Sequence, residues 1–397
     1  MKTQNTIIEK MLKSRLFNNS EILVTIAILI FLTFFLISHG VPMILTILID
    51  FAVFAIVTMS LNLETGLTGI PQFGRVLAVI AGAFAVGAIP GRIMAAFMGL
   101  PFGADYTQDI IQFQIAPEIT ATLSASWVLS LLFFLLCLVV AAVSGAVIGW
   151  LTSRPAIRLK EAYLGISLLA FGDFFMWVGH NWAPLVGGST SVFVPDPFRI
   201  FGEARFEAVV IVIFLAAMLV YVYLNRLASS PFGRTLKMVR DNEISASAAG
   251  KDVTKIRTQS LVIGSILAAI AGGLYVIYTG TVTATGYSRL VWTFWPWAFM
   301  MLGGIGSTTG VLLGVMVLTI MRTIITVYRF EIFGFLMEWG INPLWLEFTL
   351  MGAVIVGVIL FLPHGLVPEK VQSILPAKRL ERVLAKNNDL YNRNTVQ

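Results

Sequence analysis

The strongest constraint on the fold of this chain is a series of long apolar runs in which charged residues are almost absent. Residues 127–150, for example, contain no charged side chain, and about 20 apolar residues in an α-helix cross the hydrocarbon core of a bilayer. Hydrophobic types make up 57% of the 397 residues and charged types only 12%, against roughly 25% charged in an ordinary soluble domain. This balance excludes a soluble enzyme, a disordered regulator and a nucleic-acid-binding domain, and it predicts a membrane protein.

The apolar runs predict an all-α polytopic membrane protein with about ten transmembrane helices. No stretch has the sustained ten-residue alternation that is typical of a membrane β-barrel. The predicted spans are residues 22–38, 41–62, 70–90, 125–151, 161–180, 206–225, 259–279, 290–304, 309–328 and 344–363. The transmembrane domain is therefore expected at 22–363, between an N-terminal tail (1–21) and a C-terminal tail (364–397). The basic amphipathic pattern of the second tail is typical of a helix that lies on anionic lipid.

Positive charge is concentrated on one predicted side of the membrane. With ten spans and the N-terminus inside, 20 of the 27 lysines and arginines fall in cytoplasmic segments, as the positive-inside rule requires. We therefore expect a multi-pass protein of the cell membrane with both termini in the cytoplasm. Two long segments, residues 91–124 and 181–205, are then expected to form a small surface on the outer side.

Residues 226–258 form the longest internal segment between spans and contain residues that are typical of the ends of short helices. Its pattern predicts a helix to about residue 240, a second helix at 243–249 and then the start of the next span. The residues expected at the helix ends are Ser230 with Pro231, Asp241 or Asn242, Gly250, and Asp252. Small residues in this segment permit close approach by another protein, whereas the alternative is a solvated basic loop near lipid headgroups. The residues alone leave both interpretations open.

The chain carries no sequence motif for ATP hydrolysis or for a metal cofactor. Gly250-Lys251 is not a phosphate-binding loop, because Ser245 stands where the motif has glycine and Asp252 replaces its Ser or Thr. Cys137 is the single cysteine, so an intrachain disulfide is impossible. We expect no catalytic residue, no metal and no cofactor, and ATP-driven transport by the phosphate-binding-loop route requires another subunit to hydrolyse the ATP.

Two glycine-rich stretches, residues 63–75 and 302–310, interrupt the apolar pattern. Broken helices expose backbone groups, which a membrane tolerates only where they are buried in protein or line water. Paired breaks in two halves of a chain indicate a translocation path, although an ordinary turn between spans is the alternative for each. The candidate path residues at these breaks are Asn62, Glu64, Gly66, Gly69, Arg75, Gly303, Gly304 and Gly306.

Ionisable residues inside or at the margins of the predicted spans are few, and such groups usually face a cavity or a partner because hydrocarbon does not solvate charge. Glu64 and Arg75 flank the first break and are placed to pair across it. Asp173 lies in the middle of a span and is the strongest candidate for the translocation path. Asp50 is placed to bind a neighbouring helix, and His180 to lie at a wetted interface.

Several short motifs follow one another in a specific order. They are Ser60-Leu61-Asn62-Leu63 with Gly66 and Gly69, Tyr163 to Phe171, Asn181-Trp182 through Gly187-Gly188-Ser189, Ser230-Pro231-Phe232-Gly233-Arg234, Arg240-Asp241-Asn242-Glu243, Ala248-Ala249-Gly250, Leu302 to Ser307, and Pro363-His364-Gly365-Leu366. From about residue 50 to 368 the chain thereby resembles the permeases of branched-chain amino acid ABC importers, in particular the LivM-type subunit. One departure is Arg75, which stands where the family often has histidine.

The resemblance implies a permease subunit of an ATP-driven importer. Such permeases form pairs, usually of two homologous chains, which work with two cytoplasmic ABC ATPases and an external substrate-binding protein. The binding protein would meet residues 91–124 and 181–205, and residues 226–258 would form the region that couples the spans to the ATPase. The family-like coupling residues are Pro231, Phe232, Gly233, Arg234, Arg240, Glu243, Ala246, Ala249 and Gly250.

The same resemblance favours leucine, isoleucine or valine as the substrate, with urea or short amides as the alternative, since close relatives handle those.

A second hypothesis is a stand-alone transporter driven by an ion gradient, with Asp50, Glu64 and Asp173 as ion ligands. An integral-membrane enzyme is poorly supported, because the sequence has no nucleophile motif and no histidine-rich cluster. Membrane lipids are expected partners and nucleic acid is not.

Overall fold

The computed structural model describes residues 38, 40–101, 103–159, 161–333, 346–362 and 364–369. The predicted first span at 22–38 lies almost wholly outside these residues, as do the N-terminal tail (1–21) and most of the C-terminal tail (364–397). Most described residues are helical, and six of the described helices are long and apolar enough to cross a membrane. The prediction of an all-α polytopic membrane protein is confirmed.

In chain order, the helices are α1 (Val41–Leu61), α2 (Arg75–Phe97), α3 (Asp109–Ser124), α4 (Trp127–Arg158), α5 (Glu161–Asn181), α6 (Ala183–Val186), α7 (Arg205–Ser229), α8 (Pro231–Asp241), α9 (Glu243–Ala248), α10 (Val253–Thr279), α11 (Trp295–Gly303), α12 (Thr308–Phe333) and α13 (Leu346–Phe361). A π-helical turn, Asn62–Leu67, continues α1, and another, Leu290–Phe294, leads into α11. Short 3-10 turns lie at Gly103–Asp105, Arg199–Ala204 and Ala284–Gly286. Two short strands, β1 (Val192–Phe193) and β2 (Thr281–Val282), pair antiparallel.

Each predicted span from residue 41 onward contains a helix. The span expected at 70–90 begins at Arg75 and continues to Phe97, because residues 68–74 form an irregular segment before it. The outer segment expected at 91–124 therefore starts later, and it contains the additional helix α3. The total of ten spans stays a prediction.

Helix α10 lies at the centre of the bundle and packs against α2 and α4. Glycines bring these backbones into contact: a Cβ atom on Gly82 of α2 would lie 2.0 Å from the carbonyl oxygen of Ala269. A Cβ atom on Gly145 of α4 would lie 2.6 Å from the carbonyl oxygen of Ser265. Small residues at such crossings let membrane helices pack closely without a hydrophobic driving force. The three helices therefore form a tightly packed core, which the first break contacts through α10.

Segments predicted on the same side of the membrane lie at the same end of the bundle. At one end, β1 pairs with β2, and the Tyr106 hydroxyl group donates a hydrogen bond to the carbonyl oxygen of Phe193. At the other end, the side chain of Asn62 accepts a hydrogen bond of 2.8 Å from the N–H group of Gly306. This arrangement agrees with the alternation of spans inferred from the basic residues.

Substitution of Gly82 by alanine tests the α2–α10 contact. We expect Gly82→Ala to destabilise the protein by about 1–3 kcal/mol, because the added methyl group overpacks this crossing. Gly352→Ala in α13 is the matched control, since nothing lies within 4 Å of its added Cβ atom. The melting temperature of both variants in detergent is measured by size-exclusion chromatography after heating. Equal melting temperatures would show that the crossing is not this tight.

Candidate functional site

The first glycine break starts later along the chain than the sequence suggested. The helix continues through Asn62 as a π-helical turn to Leu67, so the irregular segment is confined to residues 68–74. Gly69 has φ +77° there, a left-handed conformation that glycine adopts without steric cost. The break is therefore a short loop between two membrane helices, and its glycine permits the sharp change in direction.

This loop reaches into the bundle, where helices surround it. The Trp297 indole N–H group donates a hydrogen bond of 2.9 Å to the Gln72 carbonyl oxygen. The Thr68 hydroxyl group lies 2.7 Å from that of Ser260 in α10, and Thr65, in the π-helical turn, is the backbone acceptor for Gly69 at 3.1 Å. Irregular backbone at membrane depth must be satisfied by protein or by water in a cavity. In this loop, helix side chains and local backbone groups provide partners.

Glu64 and Arg75 pair across the break, as the sequence predicted. The Arg75 Nη1 atom lies 3.0 Å from the Glu64 Oε1 atom, and both side chains are 0% exposed. The Nη2 atom also reaches the Ser265 hydroxyl group at 3.4 Å. A Cβ atom on Gly264 would lie 2.1 Å from the Glu64 Oε1 atom, so α10 makes room for the carboxylate. The ion pair thus joins the end of α1, the start of α2 and the middle of α10.

The second break contacts the first. Gly306 donates its N–H group to Asn62, and a Cβ atom on Gly66 would lie 2.7 Å from the Gly306 nitrogen atom. Gly303 and Gly304 lie beside the last described residues, because the N–H group of Val367 donates a hydrogen bond of 3.0 Å to the Gly303 carbonyl oxygen. The sequence-predicted break residues at 62–69 and 303–306 are therefore brought together in one cluster.

Arg240 of α8 connects the internal segment to this cluster. Its Nη1 atom donates hydrogen bonds to the Gly66 carbonyl oxygen and, at 2.8 Å, to the Glu369 Oε2 atom. Its Cγ atom lies 2.9 Å from the position of a Cβ atom on Gly69, and Lys237 forms a second ion pair with Glu369 at 2.8 Å. We name Arg240, Gly66, Glu369 and Lys237 the hub. The sequence reasoning missed Glu369, because a single glutamate after the last span has no motif around it.

The charge on Arg240 is maintained by its neighbours. Burial by itself lowers the pKa of Arg240, but the hydrogen bonds and charges of Glu369 and Asp241 outweigh burial and raise the pKa above its ordinary value. The guanidinium group therefore stays protonated and donates at every physiological pH.

The helix ends in the internal segment are those predicted from sequence. Ser230 accepts a hydrogen bond of 3.2 Å from the N–H group of Gly233, and Asn242 accepts one of 2.9 Å from that of Ser245. Asp252 accepts a hydrogen bond of 3.0 Å from the N–H group of Lys255 and caps α10. The left-handed Gly250, with φ +76°, follows α9. Local sequence is sufficient for these caps because each donor lies three residues after its acceptor.

The surface of this segment differs from the expected one at two positions. Ala246 is 0% exposed, so it packs inside the chain and is not available to a partner. Gly233 is also buried, and a Cβ atom on it would lie 2.3 Å from the carbonyl oxygen of Leu227. The exposed candidates are Pro231, Arg234, Glu243, Ala249 and Gly250, while Phe232 and Arg240 are half-buried. The sequence reasoning missed Ile244, an apolar side chain that is 82% exposed.

The remaining candidates make contacts of their own. Asp173 pairs with Arg289 at 2.7 Å. Asp50 of α1 lies 3.6 Å from Arg322 of α12, which confirms that Asp50 binds a neighbouring helix. His180 packs its ring against that of Trp177 at the end of α5.

The apolar bundle, its two contacting helix breaks and the helical segment beneath them define a multi-pass membrane protein with the architecture expected of a permease. Residues 43–359 match the family described as the permease component of the branched-chain amino acid transport system, and the chain belongs to this family. The resemblance inferred from the motifs is therefore confirmed.

Individual relatives agree with this assignment. The chain is 34% identical over 341 residues to a probable branched-chain amino acid transport permease protein LivM of Methanocaldococcus jannaschii, covering 86% of this chain and 97% of the relative. It is 24% identical over 359 residues to the high-affinity LivM permease protein of Escherichia coli, covering 84% and 71%. A probable LivH permease protein of M. jannaschii is 29% identical over 205 residues, covering 48% and 63%. No solved structure is significantly similar to this chain.

The buried ion pair is tested by comparing a variant that lacks one charge with a variant that lacks both. We expect Arg75→Met alone to cost about 3–5 kcal/mol, because it leaves the Glu64 carboxylate buried without its counter-charge. The double variant Glu64→Leu/Arg75→Met is expected to recover most of that stability, since it removes both charges. Glu243→Gln, which breaks the half-exposed pair with Arg257, is the control and should cost less than about 1 kcal/mol. Stability is measured as the melting temperature in detergent. Equal decreases for the single and double variants would show that Arg75 does not stabilise the buried charge of Glu64.

Proposed function

We propose that this chain is a transmembrane permease subunit of an ATP-driven ABC importer that moves leucine, isoleucine and valine into the cell. It lies in the cell membrane with both termini in the cytoplasm. Its partners are a second homologous permease subunit, two ABC ATPases and an external substrate-binding protein. The observation that carries this proposal is the hub, because it connects the one solvent-exposed helical segment that matches the family's coupling motifs directly to the broken membrane helices.

In this proposal α8 and α9 dock on the ATPase. The region from Asp241 to Asp252 is exposed except at Ala246, and it presents Ile244 at its outer surface. Burial of an exposed apolar side chain in a groove of a partner protein removes it from water and favours binding. Ile244 is the side chain that we assign to that groove, and Glu243 is held beside it by its ion pair with Arg257.

Movement of α8 then reaches the spans through Arg240. Because Arg240 donates to the Gly66 carbonyl oxygen, displacement of α8 pulls on the end of the π-helical turn. Because Arg240 also binds Glu369, the same displacement of α8 moves the segment around Glu369, which forms hydrogen bonds with the second break. The proposed translocation path runs beside these breaks, and its residues are Asn62, Glu64, Gly66, Gly69, Arg75, Asp173, Gly303, Gly304 and Gly306.

The outer end carries apolar side chains suited to a binding protein. Phe97 is 77% exposed, Ile110 is 78% exposed and Phe113 is 62% exposed. They lie on or beside α3, whose Gln112 side chain accepts a hydrogen bond of 2.8 Å from the N–H group of Phe193 in β1. The two outer segments are thereby joined into one surface, which supports the proposed contact of both with the binding protein.

Contacts of the intramembrane carboxylates argue against an ion-coupled transporter. Asp50, Glu64 and Asp173 are each paired with an arginine from elsewhere in the fold. They do not form a shared group of anionic ligands in the described part of the chain. Arg75 stands where the family often has histidine, and its guanidinium group pairs with Glu64. The positive charge that this departure from the family pattern introduces is therefore balanced inside the fold.

Uptake by the reconstituted complex tests the function. We expect proteoliposomes that contain both permeases, the ATPases and the binding protein to accumulate radiolabelled leucine only when ATP is present on the ATPase side. Excess isoleucine or valine is expected to compete, and excess urea is not. Uptake of urea without leucine would establish the amide alternative, and leucine uptake that follows an ion gradient without ATP would establish the secondary transporter.

Variants of the hub test coupling. We expect Arg240→Ala and Glu369→Gln to lower leucine uptake roughly tenfold, a typical size for coupling between sites, while the ATPases still co-purify and hydrolyse ATP. Arg226→Ala, an exposed arginine that precedes α8 and contacts neither break, is the matched control. Ile244→Ser is the comparison for docking, since it should lose ATPase co-purification as well as uptake. If Arg240→Ala retains the wild-type ratio of leucine transported to ATP hydrolysed, the hub does not transmit movement.

A further inference from the structure

The charged pair of Asp173 and Arg289 is not enclosed like that of Glu64 and Arg75. Asp173 of α5 and Arg289 lie 2.7 Å apart, yet their side chains are 34% and 54% exposed. Glu64 and Arg75, by contrast, are 0% exposed. Arg289 immediately precedes the π-helical turn that leads into α11, so the pair bridges two membrane elements at the surface of the bundle.

Asp173 lies near the middle of α5, and Arg289 lies between β2 and the π-helical turn that leads into α11. A Cβ atom on Gly172 would lie 2.5 Å from the Val76 Cγ1 atom, so Asp173 is next to the start of α2, one residue beyond Arg75. Charged groups inside a membrane span almost always face a bundle interior, a partner or a water-filled cavity, because lipid does not solvate them. The exposed side of this pair therefore does not face hydrocarbon.

The surface beside the pair is aromatic. Phe174 is 59% exposed and Trp177 is 56% exposed. Trp177 follows Asp173 by four positions on α5 and follows Phe174 by three, and residues three or four apart are neighbours on a helix surface. A carboxylate, a guanidinium group and two aromatic faces are thus presented together at one surface of the bundle.

We propose that Asp173 and Arg289 bind the α-ammonium and α-carboxylate groups of a zwitterionic amino acid in the translocation path, with Phe174 and Trp177 contacting its aliphatic side chain. This inference rests on the proposed function as an amino acid importer. A carboxylate accepts hydrogen bonds from an ammonium group, and an arginine fork matches a carboxylate. When the substrate enters, each side chain exchanges one opposite charge for another, so no charge is left without a partner.

Accessibility of the surface provides the first test. The single cysteine, Cys137, is buried, so a Cys137→Ser background permits cysteine labelling at chosen positions. We expect Ala170→Cys, an exposed position one turn before Asp173 on α5, to react with a charged, membrane-impermeant thiosulfonate in the reconstituted complex. Leucine is expected to slow this reaction. Val139→Cys on α4, where valine is 58% exposed, is the lipid-facing control and should not react. An unreactive Ala170→Cys would overturn the proposal, since the surface would be covered by lipid or by the second permease.

Transport by charge variants provides the second test. We expect Arg289→Gln and Asp173→Asn to lower leucine uptake at least about tenfold, because each leaves one substrate charge without a partner. Co-purification of the second permease and the ATPases checks that these variants still fold and assemble. Arg289→Lys is expected to restore uptake in part.

The charge-swapped variant separates substrate binding from a structural ion pair. Asp173→Arg/Arg289→Asp re-forms the pair with its charges exchanged, so full recovery of uptake would show that the two residues only hold the helices together. Uptake that stays low supports the binding role. If the wild-type complex itself shows no ATP-driven leucine uptake, the proposed function fails, and this result is distinct from failure of the variants alone.

Discussion

Backbone that leaves the helical path inside a membrane has no water to satisfy it, and the structure of this permease is arranged around that constraint at residues 68–74. Thr65, Ser260 and Trp297 supply hydrogen-bonding partners for this region. These partners hold an irregular loop at the depth of the helices around it.

The charges of the bundle follow from the same constraint. Each pair joins separate elements of the fold: α1 and α2 through Glu64 and Arg75, α1 and α12 through Asp50, and α5 with the start of the second broken span through Asp173. Pairing keeps the interior nearly neutral, and it also means that a shift of one helix disturbs a charge on another. Arg240 extends this arrangement outside the spans, where α8 contacts the first break and the segment beside the second. Coupling in the proposed function therefore depends on the polar contacts of Arg240.

Much of the local structure was predictable from the sequence. The capping residues Ser230, Asn242 and Asp252 and the terminating Gly250 act over three or four residues, so local chemistry decides them. The apolar runs locate the helices for the same reason, since length and hydrophobicity are local properties. The start of α2 differs from the predicted start, at Arg75 instead of residue 70. Several glycines and a proline lie at 66–74, and each of them is able to end a helix, so the sequence does not identify the boundary.

The sequence by itself determined that this chain is an all-helical membrane protein of the branched-chain amino acid permease family. Only the tertiary structure decided which charges meet. Arg240 and Glu369 are 129 residues apart in the chain, and Arg289 and Asp173 are 116 apart. Burial of Ala246 and exposure of Ile244 likewise depend on how α9 lies against α8 and α10. Such contacts arise from helix packing over long sequence separations, and no local pattern encodes them.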